Sequence, residues 1–239
     1  MANSTEFLRI SQLHAYYGES HILHGVDLTV NHGEVVTLLG RNGAGRTTTV
    51  KSILGLVGRR TGSVIIDNQE TVNWPTHEIA KLGLGYCPEE RGIFSALTCE
   101  ENLMLPPVIA PGGMTVDEIY EMFPNLYERR SSPGTRLSGG EQQMLAVGRI
   151  LRTGAKCLLL DEISEGLAPV IVQALSKMIT ALKAKGFTII MWNKTFDLPH
   201  RWRIVFMSWS MVRLWKVSPR RNFLARWACC MSIWVSDFS

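Results

Sequence analysis

Residues 39–48 read LGRNGAGRTT and directly follow an apolar run that begins at Val35. The stretch matches the phosphate-binding loop G-x-x-x-x-G-K-[ST] at every fixed position except the lysine, which is Arg46 here. Such a loop joins a strand to a helix, so we predict a strand over 35–39 and a helix over 47–56. The stretch therefore favours an α/β fold that holds a nucleoside triphosphate where the strand meets the helix.

The residues of this loop have separate chemical roles. Its glycines let the backbone curl so that successive N–H groups point at phosphate oxygens, and the hydroxyl of Thr47 would bind Mg²⁺. The side chain of Arg46 ends in a planar guanidinium, whereas lysine ends in a compact ammonium group. We therefore expect nucleotide binding to survive while the rate of hydrolysis falls. A plain glycine-rich turn is the alternative. The loop residues predicted to contact the nucleotide are Gly40, Arg41, Asn42, Gly43, Ala44, Gly45, Arg46, Thr47 and Thr48.

A second motif, KCLLLDE, spans residues 156–162 and has the pattern of an apolar strand that ends in two carboxylates. Asp161 is predicted to support Mg²⁺ through water, and Glu162 is predicted to polarise the attacking water as general base. Two adjacent acids at an ordinary strand end are the alternative.

A third motif, LSGGEQQ, spans residues 137–143. Ser138, Gly139 and Gly140 are predicted to open a second helix, whose N–H groups and serine hydroxyl can bind a γ-phosphate across an interface. A capped helix with Glu141 in its first turn is the alternative.

In this order and spacing, the three motifs resemble the ATP-binding cassette of ABC transporters over residues 7–191. The resemblance implies a P-loop α/β fold with a mostly parallel core sheet, an antiparallel edge near the N-terminus and a helical subdomain at about 98–150. It implies ATP and Mg²⁺ as ligands and ATPase activity. It also implies a head-to-tail dimer with an identical or related cassette, in which the third motif contacts the partner's ATP. The residues given that role are Leu137, Ser138, Gly139, Gly140 and Glu141.

Two other positions match the family more loosely. Tyr17 stands where these cassettes stack an aromatic ring on adenine, although a buried core tyrosine is the alternative. Glu89, in YCPEERGIF, occupies the place of a glutamine that senses the γ-phosphate and couples to the membrane partner. The resemblance therefore implies that Thr47, Glu89 and Asp161 serve the Mg²⁺ ion.

The variants PEERGIF, LTCEENL and SEGLAPVIV resemble the ATP-binding subunit of branched-chain amino acid importers, although Ile163 replaces the proline usual after the acidic pair. This resemblance implies a peripheral subunit on the cytoplasmic face of the inner membrane, bound to transmembrane permease subunits and serving a periplasmic binding protein indirectly. One alternative is an ATP-binding subunit that hydrolyses poorly or is inactive. Another is a cassette of DNA repair or translation, which usually carries a coiled-coil insertion or a second cassette.

Composition limits the class of protein. The chain has 239 residues, of which 46% are apolar, enough for one domain with a substantial core. We find no apolar run of transmembrane length and no basic, apolar leader, and the five cysteines show neither disulfide nor metal spacing. We therefore expect a subunit of the reducing cytosol that has no nucleic-acid partner.

The composition changes abruptly at Trp192. Residues 192–239 hold six of the seven tryptophans and carry a net charge of +6, whereas the whole chain carries +4, which leaves −2 for residues 1–191. We therefore divide the chain into an ATP-binding domain, 1–191, and an atypical tail, 192–239. A membrane-surface or nucleic-acid segment is one interpretation of a basic, tryptophan-rich tail, but its helical and strand periodicity is poor.

A shifted reading frame is the interpretation of the tail that we favour. The tail can be back-translated so that one base inserted after the codon for Met191 gives a continuous segment that resembles the family's C-terminus, followed by a stop. In the present frame, Lys194 stands at the position where the family carries a switch residue that contacts the γ-phosphate. His200 lies too far along the chain for that role. We expect exposed sheet edges and poor solubility.

Overall fold

The computed structural model describes residues 5–40 and 43–193, and the backbone of 203–207. Four residues discussed above, Arg41, Asn42, Lys194 and His200, lie outside these ranges. The strands are β1 (Glu6–Tyr17), β2 (Ser20–Asn31), β3 (Val35–Gly40), β4 (Arg59–Ile66), β5 (Gln69–Glu70), β6 (Leu84–Cys87), β7 (Cys157–Asp161), β8 (Thr188–Asn193) and β9 (Arg203–Met207). The α-helices are α1 (Arg46–Ile53), α2 (Thr76–Ala80), α3 (Cys99–Met104), α4 (Val116–Met122), α5 (Pro124–Glu128), α6 (Gly139–Arg152) and α7 (Pro169–Ala184).

A five-stranded parallel sheet, ordered β6-β7-β8-β3-β9, forms the centre of the fold. Every residue of β7 and β8 is buried. This agrees with their sequences, CLLLD and TIIMWN, because strands covered on both faces have nearly continuous apolar runs. The predicted parallel core is confirmed, and the strand order brings the carboxyl ends of β7, β8 and β3 to one edge.

A separate four-stranded antiparallel sheet, ordered β2-β1-β4-β5, is built from the N-terminal part of the chain. The predicted antiparallel element is therefore confirmed, as a sheet of its own. Its pairing is interrupted between Ser11 and His14, where Gln12 has a positive φ of 46°. A Cβ atom at Gly62 would lie 2.2 Å from the Gln12 carbonyl oxygen, so the bulge requires glycine at that position.

Helices α3 to α6 occupy the region that was predicted as a helical subdomain, and α6 extends it to Arg152. Three of these helices begin with a capping box, in which a hydroxyl side chain and a glutamate three residues later satisfy each other's backbone N–H groups. The pairs are Thr98 with Glu101, Thr115 with Glu118, and Ser138 with Glu141. Short, individually capped helices separated by prolines explain why this region folds as a compact helical unit.

The composition break at Trp192 falls inside a core strand. Strand β8 runs from Thr188 through this break to Asn193, and the side chain of Trp192 is fully buried. Further along, the backbone of Arg203–Met207 pairs in parallel with β3 as β9. The tail therefore contributes one strand to the central sheet, directly beside the strand that precedes the phosphate loop.

Three cysteine thiols lie in the core as free, buried groups. Burial raises the pKa of Cys87 to about 12 and that of Cys99 to about 11, and it also raises the pKa of Cys157. Because the thiolate is the reactive form, these thiols pack as small apolar groups in the native state. Within the described residues, no helix combines the length and apolar character needed to cross a bilayer.

Candidate nucleotide-binding site

The predicted phosphate loop joins β3 to α1. The strand ends at Gly40, and the helix begins at Arg46, one residue earlier than predicted, and ends at Ile53. Gly45 is the N-cap residue, with a left-handed φ of 81°. A Cβ atom there would lie 2.6 Å from the Leu23 side chain, so only glycine fits. The loop thus presents the N-terminus of an eight-residue helix, which suits an anionic phosphate group.

The second motif ends β7 at Asp161, as predicted, and places Glu162 directly after the strand. Glu162 has a φ of 49°, which is uncommon for a residue other than glycine. A hydrogen bond of 2.8 Å from its backbone N–H to the carbonyl oxygen of Trp192 holds this conformation. Strained backbone of this kind is typical of functional sites, and here it sets the direction of the proposed general base.

Asp161 lies close to the phosphate loop, where the hydroxyl of Thr47 donates to its carboxylate over 3.4 Å. The hydroxyl of Tyr86 approaches the same oxygen at 3.5 Å. Burial, followed by the negative charge of Glu89, raises the pKa of Asp161. A cation would favour the ionised carboxylate, and hard oxygen ligands are those that Mg²⁺ prefers, so Thr47 and Asp161 fit this ion.

Arg46 and Glu162 form a buried ion pair between the loop and the DE motif. The distance from Arg46 Nη2 to Glu162 Oε1 is 2.8 Å, and the two side chains are only 6% and 7% exposed. The residue in place of lysine therefore binds the carboxylate that was predicted to activate water. The sequence indicated both residues, but their mutual contact follows only from the placement of α1 beside the end of β7.

A third acid joins Glu89 and Glu162 near the phosphate loop. Carboxylate oxygens of Glu89, Glu162 and Glu165 lie within 4.8 Å of one another. Glu89 thus lies near Glu162 of the DE pair, and its assignment to Mg²⁺ stays a prediction. Glu165 was missed as a site residue, although the EGLAP segment that begins with it was noted as distinctive.

Asn193 is a second residue that the sequence did not single out. It ends β8 opposite Leu39 of β3 and is 2% exposed. Its amide atoms make no hydrogen bond to any residue in the described parts of the chain. A buried amide at the carboxyl edge of the sheet is a suitable partner for a polar ligand group. In the sequence, the only indication of a role for Asn193 was its place as a polar residue at the end of an apolar run.

Tyr17 lies at the end of β1, paired with Ser20, and is 46% exposed. The alternative of a buried core tyrosine is therefore wrong. Leu23, from the paired strand β2, packs against Gly45 of the phosphate loop, so this end of the hairpin borders the loop. The position is compatible with an aromatic ring that stacks on a base beside the phosphate site.

The third motif begins α6, as predicted. Ser138 is the N-cap residue: its hydroxyl accepts from the Glu141 N–H at 3.3 Å, and the Glu141 carboxylate accepts from the Ser138 N–H at 2.7 Å. The capped helix, which was the alternative interpretation of this motif, is therefore observed. Gly140 packs tightly on α7, since a Cβ atom there would lie 2.9 Å from the Ile171 side chain.

Hydrogen bonds connect the loop that follows β6, residues 88–98, to α6. Arg91 donates to the side-chain oxygen of Gln142 over 3.0 Å, and Arg149 donates to the carbonyl oxygen of Gly92. The guanidinium of Arg149 also lies 5.1 Å from the ring centre of Phe94. These contacts join the loop that contains Glu89 to the helix that begins with the LSGGE motif.

Comparison with known proteins agrees with these observations. A profile described as ABC transporter matches residues 23–165. The chain is 39% identical over 187 residues to BraG of Pseudomonas aeruginosa, a high-affinity branched-chain amino acid transport ATP-binding protein, covering 77% of this chain and 80% of BraG. It is 37% identical over 199 residues to LptB of Haemophilus influenzae, a lipopolysaccharide export system ATP-binding protein, covering 79% and 82%.

Among solved structures, the chain is similar to an ATP-binding subunit of an ABC transporter, with 27% identity, a TM-score of 0.74, and coverage of 89% of this chain and 90% of that one. Since the phosphate loop and the DE pair meet at one edge of such a fold, and the family profile spans more than half of the sequence, the chain belongs to the ABC transporter family and carries its ATP-binding cassette.

Proposed function

We propose that this chain is the ATP-binding subunit of an ABC importer for branched-chain amino acids, bound peripherally at the cytoplasmic face of the inner membrane. The meeting of Thr47, Asp161 and Glu162 beside the phosphate loop carries the nucleotide part of the proposal. The substrate part is supported by the similarity to BraG and by the PEERGIF and SEGLAPVIV segments.

Lipopolysaccharide export is a second candidate, because LptB is 37% identical to the chain and BraG is 39% identical. The two substrates can be separated in cells. The chain, with and without Arg46→Lys, would be expressed in Pseudomonas aeruginosa lacking BraG and, separately, in Haemophilus influenzae depleted of LptB. We expect the Arg46→Lys version to restore leucine uptake in the first strain, and neither version to rescue growth in the second. Rescue of the second strain alone would contradict the amino acid proposal.

The nucleotide would lie with its phosphates at the N-terminus of α1 and its adenine beside Tyr17. Mg²⁺ would be held by Thr47 and Asp161, with Glu89 nearby, and would neutralise charge on the transferred phosphoryl group. Glu162 would orient the attacking water and accept its proton. The buried amide of Asn193, at the same edge of the sheet, would hydrogen-bond either this water or a phosphate oxygen.

A second cassette would complete the ATP site. In this proposal Leu137, Ser138, Gly139, Gly140 and Glu141 contact the ATP that is held by the partner cassette. ATP binding would close the dimer and hydrolysis would reopen it, and the loop 88–98 would pass this movement to the permease subunits. A periplasmic binding protein would supply the amino acid from the other side of the membrane.

We also infer that hydrolysis is slow in this chain. The ion pair directs the Glu162 carboxylate at the Arg46 guanidinium, 2.8 Å away, and so keeps it from orienting an attacking water. Phosphate oxygens would compete with Glu162 for the same guanidinium when nucleotide binds. Arginine is therefore expected to bind ATP and to leave the base poorly placed.

The tail supports a related proposal, namely that one base was lost after the codon for Met191. This proposal rests on the composition break at 192 and on the resemblance of the shifted frame to the family's C-terminus. Sequencing the gene at codon 192 in close relatives tests it. Relatives that encode the present tail in the same frame would contradict a recent loss.

Replacing Arg46 with lysine tests the inference of slow hydrolysis. We expect Arg46→Lys to raise the rate of Mg-ATP hydrolysis at least tenfold, with nucleotide affinity changed by only a few fold, because lysine frees Glu162 and still contacts the phosphates. Arg9→Lys, at an exposed ion pair with Glu6, is the matched control and should change neither quantity. Rapid hydrolysis by the unmodified chain would contradict the inference. A version that also carries the restored C-terminus would show how much the tail contributes.

A further inference from the structure

Three of the six histidines of the chain form a cluster on the outer face of the antiparallel sheet. His14, on β1, lies opposite His24 on β2, and His21 lies nearby on the same strand. The His14 Nδ1 and His21 Nε2 atoms are 3.1 Å apart, and the ring centres of His21 and His24 are 3.9 Å apart. The neighbouring residues Leu13 and Ala15 are buried on the opposite, core-facing side of β1.

We propose that His14, His21 and His24 form a surface binding site for a borderline divalent metal ion, Zn²⁺ or its neighbours Cu²⁺ and Ni²⁺. Imidazole nitrogen is a preferred ligand of these ions. Two imidazole nitrogens that share a tetrahedral zinc ion at about 2.0–2.1 Å lie about 3.3 Å apart. The observed 3.1 Å separation is already close to that spacing. His24 is exposed, so its ring can rotate toward the pair and supply a third nitrogen.

The surroundings of the cluster favour the neutral, metal-binding form of His21. Partial burial, followed by the positive charge of neighbouring His24, lowers the pKa of His21, and His14 and Arg59 act in the same direction. Tyr16 stacks on the His21 ring at 4.3 Å and separates it from Arg59 in the strand ladder. The Arg59 guanidinium, 4.4 Å from the Tyr16 ring centre, is the permanent charge that faces the cluster and opposes a second cation. Stacking therefore fixes the orientation of His21 before any metal binds.

A hydrogen bond between two neutral imidazoles would explain the same 3.1 Å separation without a metal. The two interpretations differ in how metal binding should respond to a lower pH. If the rings bind metal, protons compete for the same nitrogens, so the affinity for metal falls as the pH falls. The nucleotide site is not involved, since none of these three rings belongs to it.

Zinc titration of the full-length chain by calorimetry, with excess Mg²⁺ to occupy hard-ligand sites, tests the proposal. The variant His14→Gln/His21→Gln is compared with the control His32→Gln/His77→Gln, which removes two exposed histidines elsewhere. All versions keep the cysteines and the acidic groups near the phosphate loop. We expect the cluster variant to lose one equivalent of bound Zn²⁺, and the control to retain it.

A milder substitution distinguishes a loss of zinc binding from a loss of folding. His24→Gln changes an exposed ring and should weaken zinc binding at least tenfold while the circular dichroism spectrum and melting temperature stay unchanged. In the unmodified chain, Zn²⁺ should also shift the ring-proton NMR signals of His14, His21 and His24 together. Equal zinc stoichiometry and affinity in all versions would overturn the proposal and leave a simple imidazole hydrogen bond.

Discussion

The ion pair between Arg46 and Glu162 is where a single residue decides the chemistry of the site. Both side chains are more than nine-tenths buried, so water screens their interaction only weakly. A buried charge pair is costly to desolvate, and removing one member is more damaging than replacing both. The pair therefore contributes to folding as well as to the inferred restraint on catalysis, and the two contributions can be measured separately.

A double-mutant cycle measures the contribution of this pair to folding. Arg46→Met should lower the free energy of unfolding by about 3 kcal/mol, because it leaves a buried carboxylate facing an apolar side chain. Adding Glu162→Gln should recover a large part of that loss, because the buried charge is then gone. Denaturant unfolding monitored by fluorescence would supply the four values. Simple additivity of the two substitutions would show that the two side chains do not interact energetically.

At the scale of elements, one buried side chain adds to the contacts that hold the loop 88–98. Asn102, on α3, is fully buried and makes four hydrogen bonds to this segment. Its amide nitrogen donates to the carbonyl oxygens of Phe94, Leu97 and Thr98, and its oxygen accepts from the Phe94 N–H. This segment is thus held against α3 by a buried polar anchor.

Removal of this anchor should destabilise the loop. Asn102→Ala should lower the free energy of unfolding by about 2 kcal/mol, because buried backbone groups lose their partners. Asn73→Ala, at an exposed position, is the matched control and should change it by less than about 0.5 kcal/mol. Thermal melting of both variants would check this, and proteolysis should cut within residues 88–98 of Asn102→Ala first. Equal melting temperatures would show that the loop is held by other contacts.

The elements at the site could be predicted because their signals are local. The glycine spacing of 39–48, the apolar run before Asp161 and the serine before α6 each determine structure within a few residues, and these elements begin or end within a few residues of the predicted positions. The Arg46–Glu162 contact, the position of Glu165 and the role of Asn193 could not be predicted, since they arise where separate strands meet.

The structure of the tail could not be predicted from the sequence either. Its composition indicated foreign sequence after Met191, yet Trp192 fills the core and Arg203–Met207 adds a strand. Strand pairing uses backbone groups that every sequence provides, so an apolar stretch of suitable length can pair beside β3 without the family's own residues. The division at Met191 therefore stays a prediction from composition, and β8 runs through it without interruption.

For the whole molecule, β9 determines whether the strand before the phosphate loop lies at a sheet edge. A chain that ends after Met207 keeps this strand, whereas one that ends after Arg201 exposes the backbone groups of β3. We expect the shorter chain to aggregate and to bind ATP at least tenfold more weakly than the longer one. Light scattering and nucleotide titration of the two truncations would check this. Equal solubility and affinity would mean that β9 is dispensable for the site.

The position of β3 also determines when the site can form during synthesis. Both strands that flank β3, β8 and β9, come from the far end of the chain. At about 5–20 residues per second, a ribosome needs on the order of 10 s to translate from the phosphate loop to β8. During that interval the antiparallel sheet can already pair, while β3 still has no neighbouring strand. ATP therefore cannot stabilise the nascent protein early, and the nucleotide site is completed only after almost all of the described chain has left the ribosome.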